Sequence, residues 1–339
     1  AATLSRRPEA VDAWLEEGLL ASNIGDLDRA VEAFSNARRP PRAAVAETLK
    51  VLCQTDPLYA GAAVAGPGIK VPALQGALPS VGPDDLVLFA CCDAVYWKEH
   101  AAALVRSAAA NAPNTPVHIH IVNPDGDSIA GLDHMQRKLA PSRFSWSSEY
   151  VDMEGTEARF APVYYASIRF LRLYQIAARR PANYLCIDAD GVVRRPLDGV
   201  LEETGQCDVA LRRRLLPMME MRVAAGVMLV RPTAGALRFL RLVAAPIKDI
   251  LESGSAAWYL DQVVITNVLD GHVHRGRFSV GQLSASYIDW RFHPDSAIWT
   301  GKGDRKARNE NYVFEKSLYL EDALVHDLAP NDHPALAEP

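Results

Sequence analysis

The chain has 339 residues, 49% hydrophobic and 23% charged, which fits a globular protein of one large or two unequal domains that can bury a core without disulfide or metal staples. A formal net charge of −5 excludes a basic field for nucleic acid, and no apolar run reaches membrane-spanning length. The five cysteines (Cys53, Cys91, Cys92, Cys186 and Cys207) show neither a CxxC pair nor zinc spacing. They point to a reducing compartment, so the expected location is cytoplasmic, with the inner face of a membrane as the alternative. The first residues show no signal peptide and start inside a helical pattern, as though a longer repeat array preceded them.

In chain order, residues 9–38 read as two amphipathic helices. Trp14, Leu15, Gly18 and Leu19 form one stripe, and Leu27, Ala30, Val31, Phe34 and Ala37 form the next. Gly25 supplies the turn and Asp26 a helix cap. The run WLEEGLLASNIGDLDRAVEAFSNARRP resembles a tetratricopeptide repeat, with Trp14, Gly18, Gly25, Ala30, Phe34 and Ala37 at its characteristic positions. An ordinary helical hairpin is the alternative. One repeat cannot bury its own face, so it must lean on the following domain, on further repeats or on another chain. The expected segments are a helical hairpin over 1–52, a Pro/Gly/Ala-rich connector over 53–83, a main domain over 84–330 and a tail over 331–339.

From Asp84 strands alternate with helices, the grammar of an α/β fold with a mainly parallel mixed sheet. Strands are predicted at 86–92, 117–122, 144–151, 184–187, 207–212 and 226–231. Helices are predicted at 98–111, 129–139, 164–178, 234–244 and 258–269. Ligands of such sheets gather at the carboxyl ends of the strands.

The stretch YLCIDADGVVRRPLDGV concentrates the chemistry. A short apolar strand delivers Asp188 and Asp190, separated by Ala189. Two carboxylates one residue apart suit a hard cation, Mn²⁺ or Mg²⁺, that bridges a diphosphate. Asp-X-Asp alone recurs by chance; the strand end gives this one its weight. Asp93 and Tyr96 follow the first strand, where a loop can hydrogen-bond and stack on a nucleotide or be ordinary surface. Arg169 interrupts an apolar helix face among Ile168, Phe170 and Leu173, so it needs an anion: a structural acid or a donor phosphate. Asp261 and Gln262 open a helix, where the carboxylate either caps it or reaches a ligand. The segment WTGKGDRKAR offers glycines for close backbone approach, with Lys302, Arg305 and Lys306 for charge.

Five blocks in this order make residues 84–330 resemble a family 8 glycosyltransferase, the nucleotide-sugar transferase group that includes glycogenin and bacterial lipopolysaccharide galactosyltransferases. They are LVLFACCDAVYWKEHAAALVRSAAANAP, YYASIRFLRLYQI, YLCIDAD, CDVALR with AAGVMLVRP, and WYLDQVVITNVL. The resemblance implies a GT-A nucleotide-diphospho-sugar transferase fold, a donor that is UDP-linked, and retention at the anomeric carbon. It implies a donor site at Ala90, Cys91, Asp93, Tyr96, Asp188, Ala189, Lys302, Gly303 and Lys306. Arg169, Asp261 and Gln262 are then the catalytic set, with the Asp-Gln pair over the donor sugar. The acceptor is a protein or a glycan, and the helical repeat is a docking surface for a protein partner.

Two departures stand out. The family's Asn two residues before Gly226 is Ala224 here. Its His-x-x-Gly-x-x-Lys motif matches Gly303 and Lys306, with Thr300 in the histidine's place. A hydroxyl is a poor substitute for imidazole on Mn²⁺, so the open outcomes are a metal held by Asp188, Asp190 and water, a third ligand from His326 in ALVHDLAP (a structural histidine otherwise), or weak metal dependence. These losses leave a second class open: a degenerate transferase that only binds nucleotide sugar or protein.

Overall fold

The computed structural model describes residues 11–24, 26–37, 45–46, 48–50, 70–156, 160–216, 218–254, 256–272 and 277–320. The tail, much of the connector, Gly25 and His326 lie outside them. Helices α1 (Val11–Ile24) and α2 (Leu27–Asn36) form the amino-terminal pair. Asp26 caps α2 by accepting the Arg29 N–H at 3.2 Å. Phe34 is fully buried, and a Cβ on Gly18 would sit 2.3 Å from its ring. Glycine at 18 is therefore what lets the two helices close. Their shared stripe, with Val45 and Leu49, rests on Met219 and Val263 of the main domain.

The main domain begins with β1 (Gln75–Gly76) and β2 (Leu86–Asp93). A helix α3 follows in three pieces: Ala94–Tyr96, a π turn at Trp97–Ala101, and Ala102–Asn111. Next come β3 (Val117–Val122), α4 (Gly126–Leu139), β4 (Phe144–Glu149), α5 (Phe160–Arg179), β5 (Asn183–Ile187) and β6 (Gly191–Val193). They lead into α6 (Gly199–Glu203), β7 (Val209–Arg213), β8 (Val223–Val230), α7 (Ala234–Glu252) and α8 (Leu260–His272). The described part ends with β9 (Val280–Gln282), β10 (Ile298–Thr300), α9 (Arg305–Arg308) and α10 (Glu310–Ser317).

Eight strands form one mixed sheet in the order β1-β4-β3-β2-β5-β8-β7-β9. The β4-β3-β2-β5 block is parallel; β8 runs antiparallel to both β5 and β7. Period-two alternation sends Val87, Phe89 and Cys91 into one core, under α5, α7 and α8, and Leu88, Ala90 and Cys92 into the other, under α3 and α4. Both faces are covered, which is why the central strands read as unbroken apolar runs. From β2 the chain winds outward through β3 and β4, then returns to place β5 on the other side of β2. The carboxyl ends of β2 and β5 thus flank a topological switch point, where a crevice opens. Gly191–Val193 leaves this sheet and pairs with β10, setting Thr300 opposite Gly191.

Several boundaries differ from expectation, and two of them have a physical reason. Helix α7 runs to Glu252 and not to 244, straight through Pro246. Ile247, Ile250 and Leu251 are fully buried there, and their burial offsets the hydrogen bond that proline forfeits. Strand β8 starts at Val223 and not at 226, because a bulge after Leu211 realigns β7 so that Arg212 pairs with Ala224 and Arg213 with Val223. Among the described residues no helix is long and apolar enough to cross a membrane.

Helix α5 carries Arg169 and Arg172 three residues apart. Arg172 is fully buried against Glu149 of β4 and also donates to the Pro72 carbonyl at 2.8 Å, so it ties the connector to the sheet. Tyr164 donates to the same carboxylate at 3.0 Å. Arg172→Ala is expected to destabilise the protein by about 3–5 kcal/mol in urea unfolding, since Glu149 stays buried and loses its charge partner. A change below about 1 kcal/mol would mean the pair is not what holds this corner.

Candidate active site

Beyond Ile187 the chain turns sharply out of the sheet. The Asp188 N–H donates to the Gly226 carbonyl, and the Gly191 N–H to the Asp188 carbonyl, both at 3.0 Å. This turn projects Asp188, whose side chain is 38% exposed, and buries Asp190. Tyr312 holds the turn from the far side, donating its hydroxyl to the Asp190 carbonyl at 2.6 Å.

Arg169 reaches the same point from α5. Its Nη1 hydrogen-bonds Asp188, and its Nη2 lies 3.1 Å from both Asp261 and the Ala225 carbonyl. Burial works against the guanidinium charge, but Asp188 and Asp261 together outweigh it and raise its pKa further. Burial also pushes the Asp261 carboxyl up, and Arg169 offsets part of that. On the other flank, Lys306 donates to the Tyr96 hydroxyl, sits 4.8 Å from that ring's centre and lies 3.7 Å from Asp190.

Asp190 Oδ1 is buried with no hydrogen-bond partner among the described residues. Burial, and then the neighbouring Asp188, push its pKa up to about 7 against the pull of Lys306 and Arg169. A buried acceptor left open beside a second carboxylate is a donor set that fits a hard divalent cation, in keeping with oxygen ligands and a shell completed by water or phosphate. Among the described residues no group of three or more His, Cys, Asp or Glu surrounds such a point. Thr300 is buried at 2% exposure, opposite Gly191 in register, so the threonine found where a histidine was expected is one residue across from Asp190.

These groups line a cavity of about 610 Å³. Its walls include Cys91, Asp93, Tyr96, Arg169, Asp188, Ala189, Asp190, Asp261, Gln262, Thr300, Lys302, Gly303 and Lys306. Ala90 is not among them; it is fully buried and faces the opposite core. Asp93 spends one carboxylate oxygen capping α3, accepting the Tyr96 N–H at 2.7 Å. The Gln262 carboxamide satisfies its hydrogen bonds with its nitrogen turned to the carbonyls of Glu220 and Val223, at 2.7 and 2.9 Å, which leaves its oxygen as the group to offer a ligand.

Gly226 is a further constraint. A Cβ there would lie 2.3 Å from Asp188 Oδ2 and 2.8 Å from Ile288 Cδ1. Only glycine lets β8 pass behind a carboxylate that Arg169 holds in place. The sequence does not single out Trp290, which also lines the cavity. Asp289 shapes the turn that presents it, accepting N–H groups of Arg291 and His293 and the Ser296 hydroxyl, each at 2.7 Å. An Asp-led turn is legible in YIDWRFHPD, but nothing in the linear sequence places it beside residue 214.

No protein-family model matches the chain, and no curated protein matches it. Among solved structures, the galactosyltransferase LgtC in complex with donor and acceptor sugar analogs is 14% identical, over 68% of this chain and 95% of that one, with a TM-score of 0.49. The Streptococcus pneumoniae glycosyltransferase GlyE is 14% identical over 70% of this chain and 62% of its own, with a TM-score of 0.47. The bifunctional glycosyltransferase WbbM is 14% identical over 68% of this chain and 48% of its own, with a TM-score of 0.46. These structural neighbours are glycosyltransferases. At 14% identity, function has to be read from the site itself.

Two outcomes follow from the site. In Gly226→Ala the added methyl displaces Asp188 from Arg169, so cation-dependent ligand binding measured by calorimetry should fall by at least about tenfold; an unchanged affinity would mean the carboxylate has room to move. The folded state holds a proton on Asp190 more tightly than the unfolded chain does. Its contribution to stability is therefore fully present below the ordinary carboxylate range and is lost as pH rises from about 4 to about 7. Without divalent cation, Asp190→Asn should melt higher than wild type at pH 8 and close to it at pH 5. Equal differences at both pH values would contradict the buried, cation-starved carboxylate.

Proposed function

We propose that this protein transfers a sugar from a nucleoside diphosphate donor, UDP-linked, to a hydroxyl of a protein or glycan acceptor, with retention at the anomeric carbon, on a GT-A fold. The observation that carries this reading is the charge arrangement at the switch point. Arg169 is bound to Asp188 and Asp261, while Asp190 keeps an oxygen free beside Lys306. That is a site built to receive a cation and a diphosphate together.

Asp188 and Asp190 would hold Mn²⁺ or Mg²⁺, which when bound neutralises diphosphate charge. The chain's own groups supply the rest. Lys306 places a positive charge where the departing phosphate gains negative charge, and its half-buried setting strengthens that interaction. Gly301 permits it: a Cβ there would lie 2.3 Å from the Lys306 Cβ. Asp93 and Tyr96, at the end of β2, flank the nucleotide end of the cavity, and Asp261 with Gln262 the sugar end. Asp188 and Asp261 are both bound to Arg169, so neither is a free nucleophile. This favours attack by the acceptor hydroxyl on the same face the phosphate leaves. The acceptor oxygen bonds to the anomeric carbon, the bond to phosphate oxygen breaks, and the hydroxyl proton passes to the leaving phosphate. Positioning of the acceptor contributes the remaining acceleration.

The scaffold reading keeps donor binding and gives up transfer. UDP with Mn²⁺ should raise the melting temperature, because a ligand bound to the folded state stabilises it by mass action. If no nucleotide diphosphate or nucleotide sugar shifts melting, the transferase reading fails. In an assay of UDP release with acceptor, Asp188→Ala and Asp190→Ala should abolish turnover, and Thr300→His should preserve or tighten Mn²⁺ binding. Full activity in either alanine variant would refute the assignment of the acid pair.

A further inference from the structure

The acid pair and Lys306 do not use all the positive charge around the cavity. Trp290 has three cations about its ring: Lys302 Nζ at 4.6 Å from the centroid, and the guanidinium carbons of Arg212 and Arg214 at 5.6 and 5.8 Å. Lys302 and Arg214 also line the cavity, as Trp290 does. Among the described residues none of the three forms an ion pair with a carboxylate. Asp188 acts favourably on Lys302 but is already bound by Arg169. Arg214 reaches the Val223 carbonyl only at 3.4 Å, and its Nε is buried without a partner. Burial and Arg212 push the Arg214 pKa down; burial, Arg214 and Arg305 push Lys302 down. Like charges gathered on one indole repel one another at a cost that the ring's negative face repays only in part. An anion between them would repay the rest.

Sheet order says which anion. The nucleotide end of the cavity lies at β2, and the acid pair follows β5. Arg212 and Arg214 stand at the end of β7, two strands further on, which is ~10 Å beyond Asp188 at ordinary strand spacing. A diphosphate held at Asp188, Asp190 and Lys306 is anchored two strands from the roots of those arginines. The arginines are therefore assigned to what lies past the donor phosphates.

We infer that the acceptor carries an anionic group, a carboxylate or a phosphate, received by Arg212, Arg214 and Lys302 around Trp290. This rests on the transferase reading for the word acceptor. The anion subsite itself is measured separately.

Calorimetry on the full chain tests it, first with UDP and Mn²⁺, then with glucuronate, glucose 6-phosphate and neutral glucose, each with and without saturating UDP and Mn²⁺. With UDP bound, at least one anionic sugar should bind about tenfold or more tighter than glucose, the increment of one or two charge-assisted hydrogen bonds. Arg214→Ala and Arg212→Ala should each remove most of that preference while UDP affinity holds within about twofold. Preference for glucuronate assigns a uronic acid, and preference for glucose 6-phosphate a phosphorylated sugar. The inference is overturned if glucose binds as tightly as both, if UDP displaces the anionic sugars, or if the arginine variants weaken UDP as much as they weaken the anion. Failure of UDP to bind at all overturns the transferase reading alone, since an arginine-dependent anion preference without UDP would still stand.

Discussion

One buried guanidinium holds this site together. Arg169 comes from a helix packed under the sheet and meets Asp188 from the end of β5 and Asp261 from the start of α8. Three elements far apart in the chain are thereby joined by charge in a place where none of the charges could be left alone. Removing the arginine would leave two carboxylates uncompensated, and removing either acid would leave a buried cation with half its partners. The carbonyl of Ala225 completes the set, so β8 is held in the same grip. The position of these groups thus follows from satisfying buried charge.

Asp190 shows the opposite principle within a few ångströms. It is buried, beside another carboxylate, with one oxygen unsatisfied and a cation 3.7 Å from the other. A site selected for stability alone would not keep such a group, because an unmet buried acceptor costs free energy. Two close-approach glycines at the cavity belong to the same design. Gly226 leaves room for the Asp188 carboxylate and Gly301 for the stem of Lys306, so backbone is brought against charge where a side chain would prevent it. The stability comes from elsewhere: from the two apolar cores on either face of the sheet and from the Arg172–Glu149 pair behind the crevice.

The amino-terminal helices meet the main domain close to this machinery. Phe34 and Ala30 share a cluster with Met219, Val263 and Tyr259, while Met221 and Tyr259 line the cavity. Tyr259 has a positive φ of 71°, an unfavourable conformation for an aromatic residue, immediately before the helix that carries Asp261. The helical pair therefore buttresses a wall of the cavity, which links its apolar stripe, legible in the sequence, to the geometry of the site.

Much was readable from local pattern. The alternation of strands and helices, the burial of the central strands and the placing of Asp188 at a strand end all follow from apolar periodicity, which is a local property of the backbone. So does the demand of Arg169 for an anion, since an arginine on an apolar face must find one. Which acids answer that demand is not local: Asp188 and Asp261 are 19 and 92 residues from Arg169. Ala90 and Cys91 are neighbours in sequence and were read alike, yet the pleat sends one to each face of the sheet, and only Cys91 reaches the cavity. The passage of α7 through Pro246 was decided by tertiary burial overriding local preference. By itself the sequence determined the elements, the apolar central strands and the place of the two acids at a strand end, because these depend on spacing along one chain. The tertiary structure alone decided that β7's arginines, the turn at Trp290 and the segment after β10 face one another across a single crevice, because sheet order and charge balance are settled between elements and not within them.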